Sequence, residues 1–263
     1  LKDRIVENMP QEIPFTGDKG IKLQDVADGL ASMEDFVAQL TPEDLEALSR
    51  GDYIMGSSLG ALGNAGVLGG ITESLRALGV PPATTTDGPS GIRLQYYCSL
   101  LPCGTALACA WNPQLVESLY QAHGREMVMK GSDMLLGPGM NIHRNPLCGR
   151  NFEYFSEDPL VSGKTGAAMV RGLQKNGVSA CPKHFACNNQ ETNRAYNDSR
   201  VSQRALREIY LKGFEICIAE GKPQNIMSSY NKINGVWSHY NYDLCTTVLR
   251  GEWGYEGVVI TDW

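Results

Sequence analysis

The stretch "GVVITDW", Gly257 to Trp263, poses the fold question. Val258, Val259 and Ile260 form an unbroken apolar run, the pattern of a strand covered on both faces. Asp262 is the first acidic group beyond it. On this stretch alone, a turn or a helix N-cap would explain that aspartate equally well. The choice turns on whether the pattern repeats upstream.

It repeats four times. "PPATTTDGPSGIR" (81–93) puts a β-prone stretch before Asp87. "DMLLGPGMNIHRNP" (133–146) runs into a Gly-Pro turn, "GVSACPKHF" (177–185) into Lys183 and His184, and "QNIMSSYN" (224–231) into Tyr230. Helical segments alternate with these stretches: "NPQLVESLYQAHGREMVMKG" (112–131), "VSQRALREIYLKGFEICIAEG" (201–221) and "NYDLCTTVLRGEWG" (241–254). Strands alternating with helices predict a parallel sheet. A doubly wound sheet concentrates its ligand site at one crevice. Here every strand ends in polar chemistry, as at the C-terminal face of an α/β barrel. The expectation is an α/β fold of (β/α)8 TIM-barrel type. It is incomplete, with five of eight strands in this chain.

The barrel is expected to occupy residues 81–263, after a lead-in segment at 1–80. In that lead-in, "TPEDLEALSR" (41–50) reads as a helix with Thr41 as N-cap and Pro42 in the first turn. "GSSLGALGNAGVLGG" (56–70) lacks the G-x-x-x-x-G-K-[ST] phosphate cradle and reads as a flexible surface loop.

Composition narrows the function. The 263 residues are 42% hydrophobic and 20% charged, with a net charge of −6. A mildly acidic chain without Lys/Arg runs argues against nucleic acid and anionic membrane as partners. No apolar run approaches the roughly 18 residues of a membrane span. Eight cysteines without a C-x-x-C pair, beside four histidines, argue against a zinc site. They read as reduced thiols, which points to the cytoplasm.

The strand ends suit a sugar. A carboxylate such as Asp262 can attack an anomeric carbon, while the face of Trp263 packs on sugar C–H bonds. Lys183 and His184 can donate to vicinal hydroxyls. Neighbours on an extended strand point to opposite sides, so both reach one pocket only if the chain bends there. The lysine's charge also keeps a nearby aspartate ionised. Arg194 offers a planar fork of donors. In "NIHRNPLCGRNFEYFSEDP" (141–159), Arg144 and Arg150 are candidates, with Glu153, Glu157 and Asp158 as ion partners. Asp87 either accepts two sugar hydroxyls or simply serves its Asp-Gly-Pro turn.

Taken in order, "TDGPSGIR", "GPGMNIHRNPLCGRNFEYFSEDP", "KHFACNNQETNR", "IMSSYNKING" and "GVVITDW" resemble the barrel domain of glycoside hydrolase family 3, and more narrowly its β-glucosidases. The resemblance covers about residues 81–263. It implies retaining, exo-acting hydrolysis of β-linked sugars without a cofactor or metal. It implies Asp262 as nucleophile, with Asp87, Arg150, Lys183, His184 and Arg194 holding the sugar. Met227, Tyr230 and Trp263 would line the pocket. The family's acid/base glutamate comes from an α/β sandwich domain, which is expected outside this chain. "IPFTGDKGIKLQDV" (13–26) resembles the approach to the barrel in members whose domain order is permuted. The histidine-bearing Gly-rich loop of the family's N-acetylglucosaminidases is missing after His184, against amino-sugar cleavage.

Three alternatives stand beside the β-glucosidase. A β-xylosidase or mixed-specificity glycosidase of the same family would differ at the sugar's C6 group. A non-catalytic carbohydrate-binding barrel would be expected to lose Asp262. An aldolase with Lys183 as Schiff base needs an apolar lysine setting. Homo-oligomerisation is left open.

Overall fold

The protein is described by a computed structural model, which covers Lys2–Asp52 and Ile54–Trp263. The chain divides into two compact units, with the boundary between Thr85 and Thr86.

The first unit packs short helices around Phe36, Leu40, Ala47, Leu75, Leu78 and Val80. Its helix Pro42–Arg50 starts as the sequence predicts. The Thr41 hydroxyl oxygen accepts the Asp44 N–H, and the Asp44 carboxylate accepts the Thr41 N–H. The glycine-rich stretch differs from its expected role as a loop. Strand β1 (Gly66–Gly69) lies within it and pairs antiparallel with β2 (Pro82–Thr86), Gly66 facing Thr85 and Gly69 facing Pro82. The glycines hid the signal. Val67 between them is buried, and a strand can form wherever such a residue finds a pairing partner.

The second unit begins with Thr86, whose carbonyl accepts the Leu136 N–H. Strand β3 (Met134–Leu135) pairs parallel with β4 (Ser179–Ala180), Met134 opposite Ser179. A parallel bridge between Gly139 and Lys183 extends this pairing. Strand β5 (Asp198–Ser199) belongs to a small separate sheet. Strand β6 (Asn225–Met227) follows next to β4: Phe185 N donates to Met227 O at 2.7 Å, and Met227 N donates to Pro182 O at 3.0 Å. The small sheet is completed by β7 (Lys232–Ile233) and β8 (Val236–Trp237). Strand β9 (Val258–Ile260) pairs parallel with β6, Met227 opposite Ile260.

Neighbouring strands of the main array thus follow chain order, as in a barrel of the TIM type. Val258 is half exposed rather than covered as its apolar run predicts, because among the described residues β9 pairs only with β6.

Three long helices back this array: Pro113–Lys130, Pro159–Gln174 and Lys212–Gly221. The first is capped by Asn112 and stopped by Gly131 in the left-handed conformation. The second is buried nearly all round, from Ser162 to Leu173. Its small residues permit this. A Cβ at Gly172 would stand 2.4 Å from Glu117 O, and one at Gly163 would stand 2.7 Å from Ile216 Cβ. The third is preceded by a π-helical turn, Leu206–Tyr210, closed by Leu211 N donating to Leu206 O. The extra residue keeps Leu206, Leu211 and Phe214 on the core side, while Ile209 is left partly exposed.

Candidate active site

All the charged candidates sit in loops that leave the carboxyl ends of the strands. Asp87 follows β2, Arg150 lies in the loop after β3, Lys183 and His184 follow β4, and Asp262 follows β9. Lys183 and His184 do enter one polar cluster. The chain departs from a regular strand there, and the peptide bond joining them is cis. Both side chains are almost fully buried.

Lys183 Nζ donates to Asp87 Oδ1 at 2.8 Å, while Arg93 donates to Asp87 Oδ2 at 2.9 Å. Burial would raise the Asp87 pKa. Lys183 and Arg93, with the Gly88 N–H, outweigh it and hold the carboxyl below its ordinary value. Asp87 is therefore more than a turn residue: its two oxygens are the anionic end of the cluster.

His184 has a partner on each side of its ring. Arg150 Nη1 lies 3.0 Å from Nε2, and Tyr154 Oη lies 3.1 Å from Nδ1. Asn141 grips the His184 backbone, accepting from its N–H and donating to its carbonyl, each at 2.9 Å. Burial lowers the histidine's pKa well below its usual value, and Arg150, Lys183 and Arg194 push the same way. The ring is neutral at neutral pH.

Arg150 is held from behind by Glu153, whose Oε1 accepts from Nε at 2.5 Å. Of the three acids considered as its ion partners, the structure selects Glu153. Glu157 is exposed, and Asp158 caps the helix Pro159–Gln174 by accepting from Leu160 and Val161. Arg194 donates to Glu191 at 3.1 Å and stacks over Tyr230, with 4.8 Å from Cζ to the ring centroid. Arg144 donates to the Tyr210 hydroxyl and lines a separate groove of about 510 Å³, away from Asp262.

Asp262 differs from its neighbours. Its carboxylate is mostly buried, 3.5 Å from His184 Nε2, yet Oδ2 has no hydrogen-bond partner. Burial pushes its pKa up to about 6 against the pull of Lys183, Arg150 and Arg194, with Asp87 adding to the rise. It opens onto a cavity of about 400 Å³ lined by Tyr196, Ser229, Tyr230, Trp237, His239 and Trp263, among others. Of the residues expected to hold or line the sugar site, Tyr230 and Trp263 line this cavity beside Asp262; Asp87, Arg150, Lys183, His184, Arg194 and Met227, the last buried in β6, are not part of that lining.

Sequence reasoning missed Asn141, Tyr154 and Asn188, which tie the loops together, and Trp237 in the cavity wall. Trp237 carried a readable signal. Asn234-Gly235 is a two-residue hairpin turn, and both residues have positive φ, joining β7 to β8. No sequence signal pairs Asn141 with a residue 43 positions away.

Comparison with known proteins adds four findings. A family model described as the glycosyl hydrolase family 3 N terminal domain matches residues 70–263. A beta-glucosidase of Ruminococcus albus is 48% identical over 257 residues, 97% of this chain and 27% of that protein. Among solved structures, a beta-glucosidase from Paenibacillus barengoltzii superposes with a TM-score of 0.96 at 54% identity, over 100% of this chain and 29% of that one. Beta-glucosidase 3B from Thermotoga neapolitana, solved in complex with glucose, superposes at 0.81 with 46% identity, over 87% of this chain and 33% of that one. The chain thus spans about a third or less of the length of these relatives.

Proposed function

Because this chain belongs to glycosyl hydrolase family 3, we propose that it carries the sugar-holding part of a retaining, exo-acting β-glucosidase, with Asp262 as nucleophile. The observation that supports this most is the state of Asp262. It is a buried carboxylate with an unpartnered oxygen, facing a cavity large enough for a sugar ring. With its pKa near 6 it is mostly ionised at neutral pH and able to attack.

The anomeric carbon sits against Asp262. Asp87 and Lys183 take neighbouring hydroxyls, Arg150, His184 and Arg194 hold the rest of the ring, and Trp263 and Tyr230 wall it. Attack forms a glycosyl ester on Asp262 and breaks the bond to the leaving oxygen, which takes a proton from a second carboxylic acid. In a retaining enzyme that acid lies about 5–5.5 Å from the nucleophile. Glu153 and Glu191 each accept from an arginine. We assign the acid to a glutamate of an α/β sandwich domain outside these 263 residues. Water then cleaves the ester with the same residue acting as base. No helix among the described residues is long and apolar enough to cross a membrane. The free thiols, four of them buried, fit a reducing compartment.

The test uses the full-length protein and a 2-deoxy-2-fluoro-β-glucoside with a good leaving group. Peptide mapping is expected to find the fluoroglucosyl ester on Asp262. A label on Asp87 or any other carboxylate would overturn the assignment.

A further inference from the structure

We propose that Asn141 is a positioning residue that locks His184 in the Nδ1–H tautomer, so that the lone pair of Nε2 accepts from Arg150 and holds that guanidinium for the sugar. The part of this that concerns sugar rests on the β-glucosidase reading above. The part that concerns the ring does not.

Start with the amide. Asn141 Nδ2 donates to the His184 carbonyl, and Asn141 Oδ1 accepts from the His184 N–H. Flipping the amide would set a donor against an N–H and an acceptor against a C=O, losing both bonds. Its orientation is therefore fixed by backbone. That places Oδ1, an acceptor, 3.3 Å from His184 Nδ1. A lone pair on Nδ1 would face a lone pair; a proton there has an acceptor to meet.

The other side of the ring gives the same answer. Arg150 is a donor only and is always charged. Its Nη1 lies 3.0 Å from Nε2. A proton on Nε2 would point at a cation, whereas a lone pair accepts from it. Two contacts pull the opposite way: the Tyr154 hydroxyl at 3.1 Å could donate to Nδ1, and the Asp262 carboxylate, 3.5 Å from Nε2, would favour a proton there but makes no hydrogen bond to the ring. A hydroxyl can rotate and accept instead, as it already does from Asn188 Nδ2. Neither the guanidinium nor the pinned amide has that freedom. The neutral ring thus carries its proton on Nδ1. This also explains why Asp262 Oδ2, 3.5 Å from Nε2, is left without a partner: two acceptors face each other.

The consequence for sugar is indirect. An imidazole nitrogen has one lone pair, and that of Nε2 accepts from Arg150, so the neutral ring fixes the guanidinium rather than meeting a hydroxyl itself. Arg150 keeps its remaining N–H groups for sugar oxygens.

Neutron diffraction from deuterium-exchanged crystals of the full-length protein reads the proton directly. Density on Nδ1 and none on Nε2 is expected; density on Nε2 overturns the proposal. A kinetic arm tests Asn141. In Asn141→Asp a carboxylate faces Nδ1–H and favours the doubly protonated ring, which has no lone pair on Nε2. kcat/KM for 4-nitrophenyl β-glucoside should fall by about 10–100-fold at acidic pH, the usual cost of a lost outer partner, and recover as pH rises. A uniform loss at every pH would mean a merely structural role and overturn it. If the variant does not fold, the neutron result on the unaltered protein decides alone. If the unaltered full-length protein hydrolyses no β-glucoside, the function fails while the neutron result still reports on the ring.

Discussion

The loop after β4 and the end of β9 face each other across 3.5 Å, and they are built in opposite ways. At His184, backbone and ring are both engaged, by Asn141, Arg150 and Tyr154. At Asp262, one oxygen is buried without a partner and the strand behind it is half exposed. The satisfied side is held by its hydrogen bonds before any ligand arrives. The unsatisfied side bears a cost that only a ligand removes, as expected of a reacting group. On the proposed function, binding and bond-making would be divided between these two strand ends.

The strongest way to break this contrast is to remove the unsatisfied side. Asp262→Ala in the full-length protein should lower kcat on 4-nitrophenyl β-glucoside by about 10⁴-fold or more, the scale of losing a nucleophile. A loss below tenfold would move the chemistry elsewhere. On the satisfied side, Glu153→Ala strips the partner from a buried guanidinium. It should destabilise by about 3 kcal/mol, read as a lower denaturant midpoint. An unchanged midpoint would show that Arg150 finds another acceptor.

Lys183→Ala should cost about 10²-fold, mostly in kcat, because bonds to sugar hydroxyls strengthen as positive charge develops on the ring. A rise confined to KM would make Lys183 a ground-state anchor only.

The pH dependence sharpens the contrast further. The folded pKa of Asp262, about 6, lies above the ordinary aspartate value of 3.8. With Asp262 as the proposed nucleophile, activity would need the ionised form, so kcat/KM should fall as pH drops through about 6. Stability runs the other way. The ionised group is penalised above that pH, and the penalty fades as pH falls toward 3.8 and below. Asp262→Asn should therefore be more thermostable than the parent at pH 8, with the gap closing by pH 4. An equal gap at both would refute the burial penalty. At the small end, Arg204→Ala removes an exposed pair with Glu208 and should change stability by about 0.3–0.5 kcal/mol at most.

The same contrast marks what was legible in the sequence. Asp262, Lys183 and Asp87 could be placed at strand ends because each lies within three residues of a β-prone stretch, and local order along a strand survives folding. The barrel class came with them. Val67 and Leu68 were lost among glycines, since composition cannot say which loop finds a pairing partner. The hairpin at Asn234-Gly235 was visible in principle. The clamp on His184 was not. Asn141, Arg150 and Tyr154 come from the loop after the preceding strand, and only the register of β3 on β4 brings them to the ring.

The glycine-lined helix Pro159–Gln174 has a consequence for how this protein can vary. Gly172 touches the helix that leads into β3, and Gly163 touches the one that leads into β6. A methyl group at either position would push a neighbouring helix outward and carry the strand end attached to it. These glycines work as a gauge that sets the spacing of the strand ends from behind. In a library of random variants, replacements there should behave like damage to the site while touching nothing in it. Mutational tolerance should be lowest on a surface that no ligand ever reaches.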